Sequence, residues 1–429
     1  MVLDTLTADH VSAYGYRRDT TRHLDGLAAE GVLFEAAISN SAWTLPAMAA
    51  MLSGRFPSSE VFAGKLERSL VERLEEAGVT TAAFTEGGFV SAFYGFERGF
   101  DVWSEVEGEI RLKVAGQYLQ EEHGGGVEQT FATAQRWLRA NGNRRFFLFV
   151  HTYEVHSPYR RRDYAMGLDP AGLGRTFELE DLKRLRKGEL RLTPERLRYL
   201  QALYDGGVRA ADAQLGALLG TLKEIGRAGD TLVVVTSDHG EELGGRIPRF
   251  TGDHGHVLYD DLIRVPLVVR DPRVGNTPSR VGTQVRTVDV LPTVLEGLGV
   301  PVPEGLDGRS LVPLIAGGEE EHRPAISTLT ESGGKPPRRA LRNGRYKLIV
   351  SDPDAFPIRE AVELFDLARD VDERMNLAER DPALRDQLRA DLDAWLDRIQ
   401  RSGPADYGDP EEAPEALRAR LEALGYLVD

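Results

Sequence analysis

"DTLVVVTSDHGEE", residues 230–242, is an apolar β-branched run that breaks abruptly into carboxylate, hydroxyl and imidazole side chains. A short apolar run bounded by polar signals describes a strand buried on both faces. Such strands belong to parallel sheets covered by helices. The residues before it, "PERLRYLQALYDGGVRAADAQLGALLGTLKEIG" (194–226), predict a long helix that feeds this strand. The same helix-to-strand order recurs upstream. "TRHLDGLAAEG" (21–31) leads into "VLFEAAIS", "RLEEAGV" into "TTAAFTE" (80–86), and "VEQTFATAQRWLRAN" (127–141) into "RFFLFVHTYEVHSPY". "VPLVVRD" (265–271) is a further strand, and "VRTVDVLPTVLEGLG" a turn and helix. The alternation predicts an α/β fold, a mostly parallel central sheet with helices on both faces.

From about residue 319 the texture changes. "KPPRRALRNGRYKLIV" and "AVELFDLARD" read as antiparallel strands turned at Asn343-Gly344, and "DPALRDQLRADLDAWLDRIQ" as an amphipathic helix. The organisation expected is a unit over 1–318 with an insert at about 160–200, a smaller α+β unit over 319–400, and a linker with a short terminal helix over 401–429. The opening "MVLDTLTADH" reads as a strand ending at Asp4. Two apolar residues after Met1 are few against the roughly 5–6 of an ordinary strand. Either the strand is stunted or the start lies upstream, together with any export signal. The sequence as it stands makes the cytoplasm the default compartment.

Over 429 residues the net charge is −15, which argues against a broad nucleic-acid surface. The absence of cysteine excludes disulfides, thiolate metal sites and a cysteine nucleophile. No apolar run approaches the roughly 18 residues of a membrane-spanning helix.

Sites in such folds gather at the carboxyl ends of strands. Those ends carry Asp4, then Thr44 on the next connection, His151 and His156, Asp238 and His239, and His254 and His256 in a Gly-rich loop. Asp4, Thr44, Asp238 and His239 make a hard-donor set with one imidazole, suited to a divalent cation such as Mn or Zn. Thr44 opens "TLPAMAAMLSGR", where Pro46 predicts the helix start and Gly54 its end. Unpaired N–H groups there favour an anion. Each residue also has a purely structural reading: Thr44, Asp4 and Asp238 as caps, His156, His254 and His256 as loop side chains, Arg160–Arg162 as a solvated run or a substrate clamp.

The blocks "LDTLTADHVSAYGY…SNSAWTLPAMAAMLSGRFP", "FLFVHTYEVHSPY", "DTLVVVTSDHGEELG", "HGHVLYDDLIRVPLVV" and "NGRYKLI…ELFDLARDVDERMNLA" together resemble the sulfatase-type members of the alkaline-phosphatase superfamily. The resemblance covers nearly the whole chain. It implies an alkaline-phosphatase-like sheet with a small C-terminal antiparallel subdomain. It implies Thr44 as nucleophile, ten residues before the glycine of "SGR". Asp4, Asp238 and His239 would be the metal ligands, with Mn or Zn first and Ca or Mg as alternatives. His156 would assist the leaving group, His254 or else His256 would be the late basic residue, and His151 and His256 would lie on the substrate side.

The departures matter too. Sulfatases convert Cys or Ser to formylglycine, which a β-branched threonine cannot become. Met48 stands where their signature arginine belongs, and Thr5 where they pair a second aspartate. A second metal would need His151, Glu154 and His254, and one metal is expected. These features point to hydrolysis of a small anionic ester, a phosphodiester, phosphonate or phosphate. Sulfuric ester hydrolysis, phosphoryl transfer and a catalytically silent binding homologue are the alternatives.

Overall fold

The computed structural model describes the chain outside residues 108, 115–116, 123–125, 163, 166–178, 187–188, 191, 245–253, 275–278, 330–336, 353–360, 400–402 and 428–429. Much of the expected insert at about 160–200 therefore lies outside the described residues.

Eleven strands form the main sheet. They are β1 (Val2–Leu3), β2 (Val32–Ile38), β3 (Thr80–Thr85), β4 (Val102–Glu107), β5 (Glu109–Val114), β6 (Gln117–Glu122), β7 (Phe146–Thr152), β8 (Val233–Thr236), β9 (Arg264–Arg270), β10 (Ser279–Val281) and β11 (Val285–Arg286). Their order is β10-β2-β9-β8-β1-β7-β3-β4-β5-β6, with β11 also on β2. The sheet is mixed and mostly parallel. β9 runs antiparallel between β2 and β8, and β4, β5 and β6 form an antiparallel meander that the sequence reading leaves unassigned.

Alternation along the strands assigns the two faces. Val265, Leu267 and Val269 of β9 join Val2 in one core with the helices Thr44–Ser53 and Val290–Gly297. Val268 joins Leu3 and Val235 in a second core under the helix Pro194–Glu224. That helix starts as its sequence suggests, with Pro194 in its first turn and the Thr193 hydroxyl accepting from the Arg196 N–H. Helix Val127–Asn141 covers Ala82, Phe84 and Val150 on the same face.

A second sheet holds β12 (Ala325–Leu329), β13 (Arg338–Arg342), β14 (Tyr346–Ser351) and β15 (Val362–Asp366), antiparallel in sequence order. The turn between β13 and β14 passes through Gly344 at φ +90°, a conformation that favours glycine. One face packs on helix Pro382–Ile399 through Leu348, Leu388 and Leu392. The other meets Leu258, Leu262 and Ile263 beside the main sheet. Residues 404–427, read from sequence as a linker and helix, lie packed on the main unit, with Tyr407, Leu417 and Leu421 in its first core. Among the described residues no helix is long and apolar enough to cross a membrane.

Candidate active site

Register brings the site together. β1 is only two residues long, yet it lies between β7 and β8, with Val2 level with both His151 and Thr236. Side chains level with one another in adjacent parallel strands share a face, as do residues two apart. His151 therefore shares the face of Val2, and Asp4 and Asp238, each two residues farther on, continue it. The helix Thr44–Ser53 packs on that same face and aims its first residue at the strand ends.

Thr44 is not the cap. Trp43 holds the N-cap position, and the helix begins at Thr44, two residues before Pro46. Its far end is as expected, with Gly54 in the left-handed conformation at φ +68°. The Thr44 hydroxyl reaches Asp4 Oδ2 at 3.2 Å and His239 Nε2 at 3.3 Å. Asp4, Thr44, His151, Asp238 and His239 are all fully buried. Asp4 and Asp238 are not caps either: Asp4 precedes Thr5 at φ +59°, and no described helix starts at Asp238. A left-handed β-branched residue is strained by roughly 1–3 kcal/mol. The Thr5 hydroxyl, donating to the Asp4 carbonyl at 2.7 Å, and the Tyr204 hydroxyl, donating to the Thr5 carbonyl at 2.7 Å, hold it there.

Three imidazoles are oriented alike. His239 Nδ1 lies 2.9 Å from the Gly240 carbonyl, His156 Nδ1 2.5 Å from that of Ser157, and His254 Nδ1 3.1 Å from Glu241 Oε1. An Nδ1–H given to an outer acceptor leaves Nε2 facing the centre. His256, beyond Gly255, is half-buried, and the ring that converges on the centre is that of His254.

His151, expected on the substrate side, lies against two carboxylates. Its ring is enclosed at the floor of the site, and it, Asp4 and Asp238 each offer a ligand atom within 4.8 Å of the others. The cause is the register with Val2, which turns the imidazole into the carboxylate pair. Among the described residues, buried Asp4 Oδ1, Asp238 Oδ2 and both nitrogens of His151 find no hydrogen-bond partner, His151 Nε2 standing 3.4 Å from Asp4 Oδ2. Orphaned buried donors of this kind suit a cation. Burial and then Asp238 push the Asp4 carboxyl well above its ordinary range, against the pull of His239 and Thr44. Burial lowers His151 to about 4, so at neutral pH it is the uncharged imidazole a metal takes. Asp4, His151 and Asp238 fit a divalent cation, and Thr44 and His239 lie beside them.

Beside the site opens a cleft of about 570 Å³ lined by Glu86, Tyr153, His156, Arg160, Arg161 and Arg420. Arg160 and Arg162 are exposed, and Arg161 is engaged by Glu128 and Glu154. Glu86 accepts from the Thr152 hydroxyl at 2.6 Å and the Tyr153 N–H at 3.0 Å. Burial raises its carboxyl, against Arg420. Sequence reasoning passed over Glu86 although it directly follows β3, where the strand-end rule applies. It also passed over Glu241, Arg420 and Tyr426. The Tyr426 hydroxyl lies 3.1 Å from Thr44 Oγ1, 2.8 Å from His156 Nε2 and 3.3 Å from His254 Nε2. Nothing local in its sequence signals that.

A mixed, mostly parallel sheet with acid and imidazole side chains gathered at its strand ends is the setting of a strand-end active site. The sulfatase family profile matches residues 1–300, and the chain belongs to the sulfatase family. A profile described as N-sulphoglucosamine sulphohydrolase, C-terminal, matches residues 252–402. The chain is 28% identical over 364 residues to an ulvan-active sulfatase of Formosa agariphila, covering 78% of this chain and 69% of that protein. It is 29% identical over 223 residues to the multifunctional alkaline phosphatase superfamily protein PehA of Trinickia caryophylli, covering 45% of this chain and 42% of that one. The phosphonate monoester hydrolase of Agrobacterium radiobacter shares the fold, with a TM-score of 0.69 over 93% of this chain and 95% of its own, at 20% identity.

Proposed function

We propose that this chain is a metal-dependent hydrolase of a small anionic ester, a phosphodiester, phosphonate or phosphate, with Thr44 as its nucleophile. The observation that carries this reading is the Thr44 hydroxyl at a helix N-terminus, bonded to Asp4 and His239 above orphaned carboxylate and imidazole atoms. One divalent cation, Mn or Zn in preference to Ca or Mg, supplies charge that acidifies the hydroxyl and polarises an ester oxygen.

The chain's own residues do the rest. Asp4 Oδ2, which accepts from the Thr44 hydroxyl, takes its proton, and Oγ1 attacks the central atom in line with the leaving oxygen. The backbone N–H groups that open the helix face the developing anion. His156, or His254 backed by Glu241, gives a proton to the departing alkoxide. Water then cleaves the threonyl ester, releasing the acid and restoring Thr44. Hydrolysis of sulfuric esters is the second reading, favoured by the family match. Threonine tilts the balance toward phosphorus, because formylglycine is out of its reach.

The test pairs bis-p-nitrophenyl phosphate with p-nitrophenyl sulfate on Mn- or Zn-loaded protein. Thr44→Ala is expected to lose about 10⁴-fold in phosphodiester turnover. Sulfate turnover that survives Thr44→Ala refutes the assignment.

A further inference from the structure

The residue that has to meet substrate is fully buried. The half-buried Tyr426 reaches into the same place, and its hydroxyl engages Thr44, His156 and His254 together. In the mechanism above Thr44 attacks the central atom of the ester, and the two imidazoles face its leaving oxygen. Here they converge on a phenol oxygen. A substrate oxygen and the Tyr426 oxygen cannot share that position.

We propose that the segment 415–427 is a tethered competitor, its phenol seated where an ester oxygen binds, and that substrate enters only when the segment leaves. This rests on the hydrolase reading for the identity of the groups it blocks. The seat is shaped for the ring: Phe89 lies 4.4 Å from it, centroid to centroid, and His156 5.2 Å. The hold is slight. Helix Glu415–Ala423 is nine residues long and buries only Leu417 and Leu421. Leu424 follows, and Gly425 at φ +85° turns the chain inward. Arg420 stands 3.6 Å from Glu86. Helices this short are marginal without their contacts, and a one-sided element with few buried side chains is among the first to open. The helix also walls the cleft through Ala416, Arg420 and Ala423, so its departure would open the cleft onto Thr44.

A site closed for nine-tenths of the time binds its ligand about tenfold more weakly than one left open. The experiment is calorimetric titration of inorganic phosphate into the full, Mn-loaded chain. Tyr426→Ala is expected to bind phosphate about tenfold more tightly than wild type. Tyr426→Phe keeps the ring against Phe89 and is expected to fall between the two, and it serves alone if the alanine variant does not fold. Equal or weaker binding by the variants, or no measurable binding, overturns the proposal. In wild type, saturating phosphate is expected to speed amide exchange over 415–427, and unchanged or slower exchange overturns it too. Turnover is read separately. Tighter phosphate binding without ester hydrolysis would keep the competitor and discard the hydrolase. Hydrolysis with unaltered phosphate binding would do the reverse.

Discussion

Thr44 and Asp4 are both side chains whose neighbours give them chemistry that they lack alone. A threonine hydroxyl is a poor nucleophile, and Asp4 is a carboxyl that burial and Asp238 push toward its neutral form. A cation among Asp4, His151 and Asp238 would reverse that shift by favouring the charged ligands. Asp238→Asn is therefore expected to abolish the rise in Tm that Mn gives the wild-type chain, measured by calorimetry with and without chelator. In the proposed mechanism His156 bears on the leaving group. His156→Ala is expected to lower turnover of a methyl p-nitrophenyl phosphate little where p-nitrophenolate departs. For an alkyl ester, whose alkoxide needs the proton, the loss is expected to be about 10²–10⁴-fold. Equal losses for both would place His156 elsewhere in the mechanism. The residue types and their strand-end positions were legible in sequence. The role of His151 was not, because an imidazole at a strand end reads the same whether it faces a cleft or a carboxylate.

Elements aim these side chains, and the turn after β8 does so with little tolerance. A Cβ on Gly240 would stand 2.1 Å from the Asp261 carbonyl oxygen. The Gly240 N–H donates to the Leu262 carbonyl at 2.7 Å, and its own carbonyl holds His239 Nδ1. Gly240→Ala is expected to push the turn away from Leu262, lowering both Tm and turnover, with the Mn-induced stabilisation reduced in the same samples. An alanine variant with wild-type metal response and turnover would show that the close approach does not matter. The helix Thr44–Ser53 was legible as an element from Pro46 and Gly54, but its start was not. A proline is tolerated anywhere in the first turn, so it marks that turn without choosing the residue that opens it.

At the scale of the whole molecule, the small sheet is fastened by a buried ion network. Lys347 Nζ meets Asp260 Oδ1 at 2.8 Å and Glu373 Oε1 at 2.7 Å, and Arg342 Nε lies 3.3 Å from Asp260 Oδ2. Lys347→Met leaves two carboxylates short of their partner. It is expected to cost about 3–5 kcal/mol in denaturant unfolding. Burial alone would raise the Asp260 carboxyl, but Arg342 and Lys347 overcome it and hold it well below the ordinary range. A depressed native pKa gives stability that is present above the unfolded value and lost on acidification. The wild-type unfolding midpoint is therefore expected to fall as pH drops below about 4, the unfolded carboxylate value. Lys347→Met is expected to show a shallower fall, since Arg342 and Arg264 then depress Asp260 without Lys347.

The order of elements, the parallel strand run at 232–236, the change of texture before β12 and the residues that crowd the strand ends all follow from local pattern. Periodicity and composition are properties of neighbours in the chain, and they survive in one dimension. The antiparallel course of β9, the enclosure of His151 and the seating of Tyr426 against Thr44 do not. Strand direction depends on which partner is available, and the face of His151 depends on its register with a two-residue strand 149 positions away. Tyr426 meets a residue 382 positions distant. Contacts of that range are set by packing, because many folded paths of one chain satisfy the same local preferences and only the complete fold selects among them.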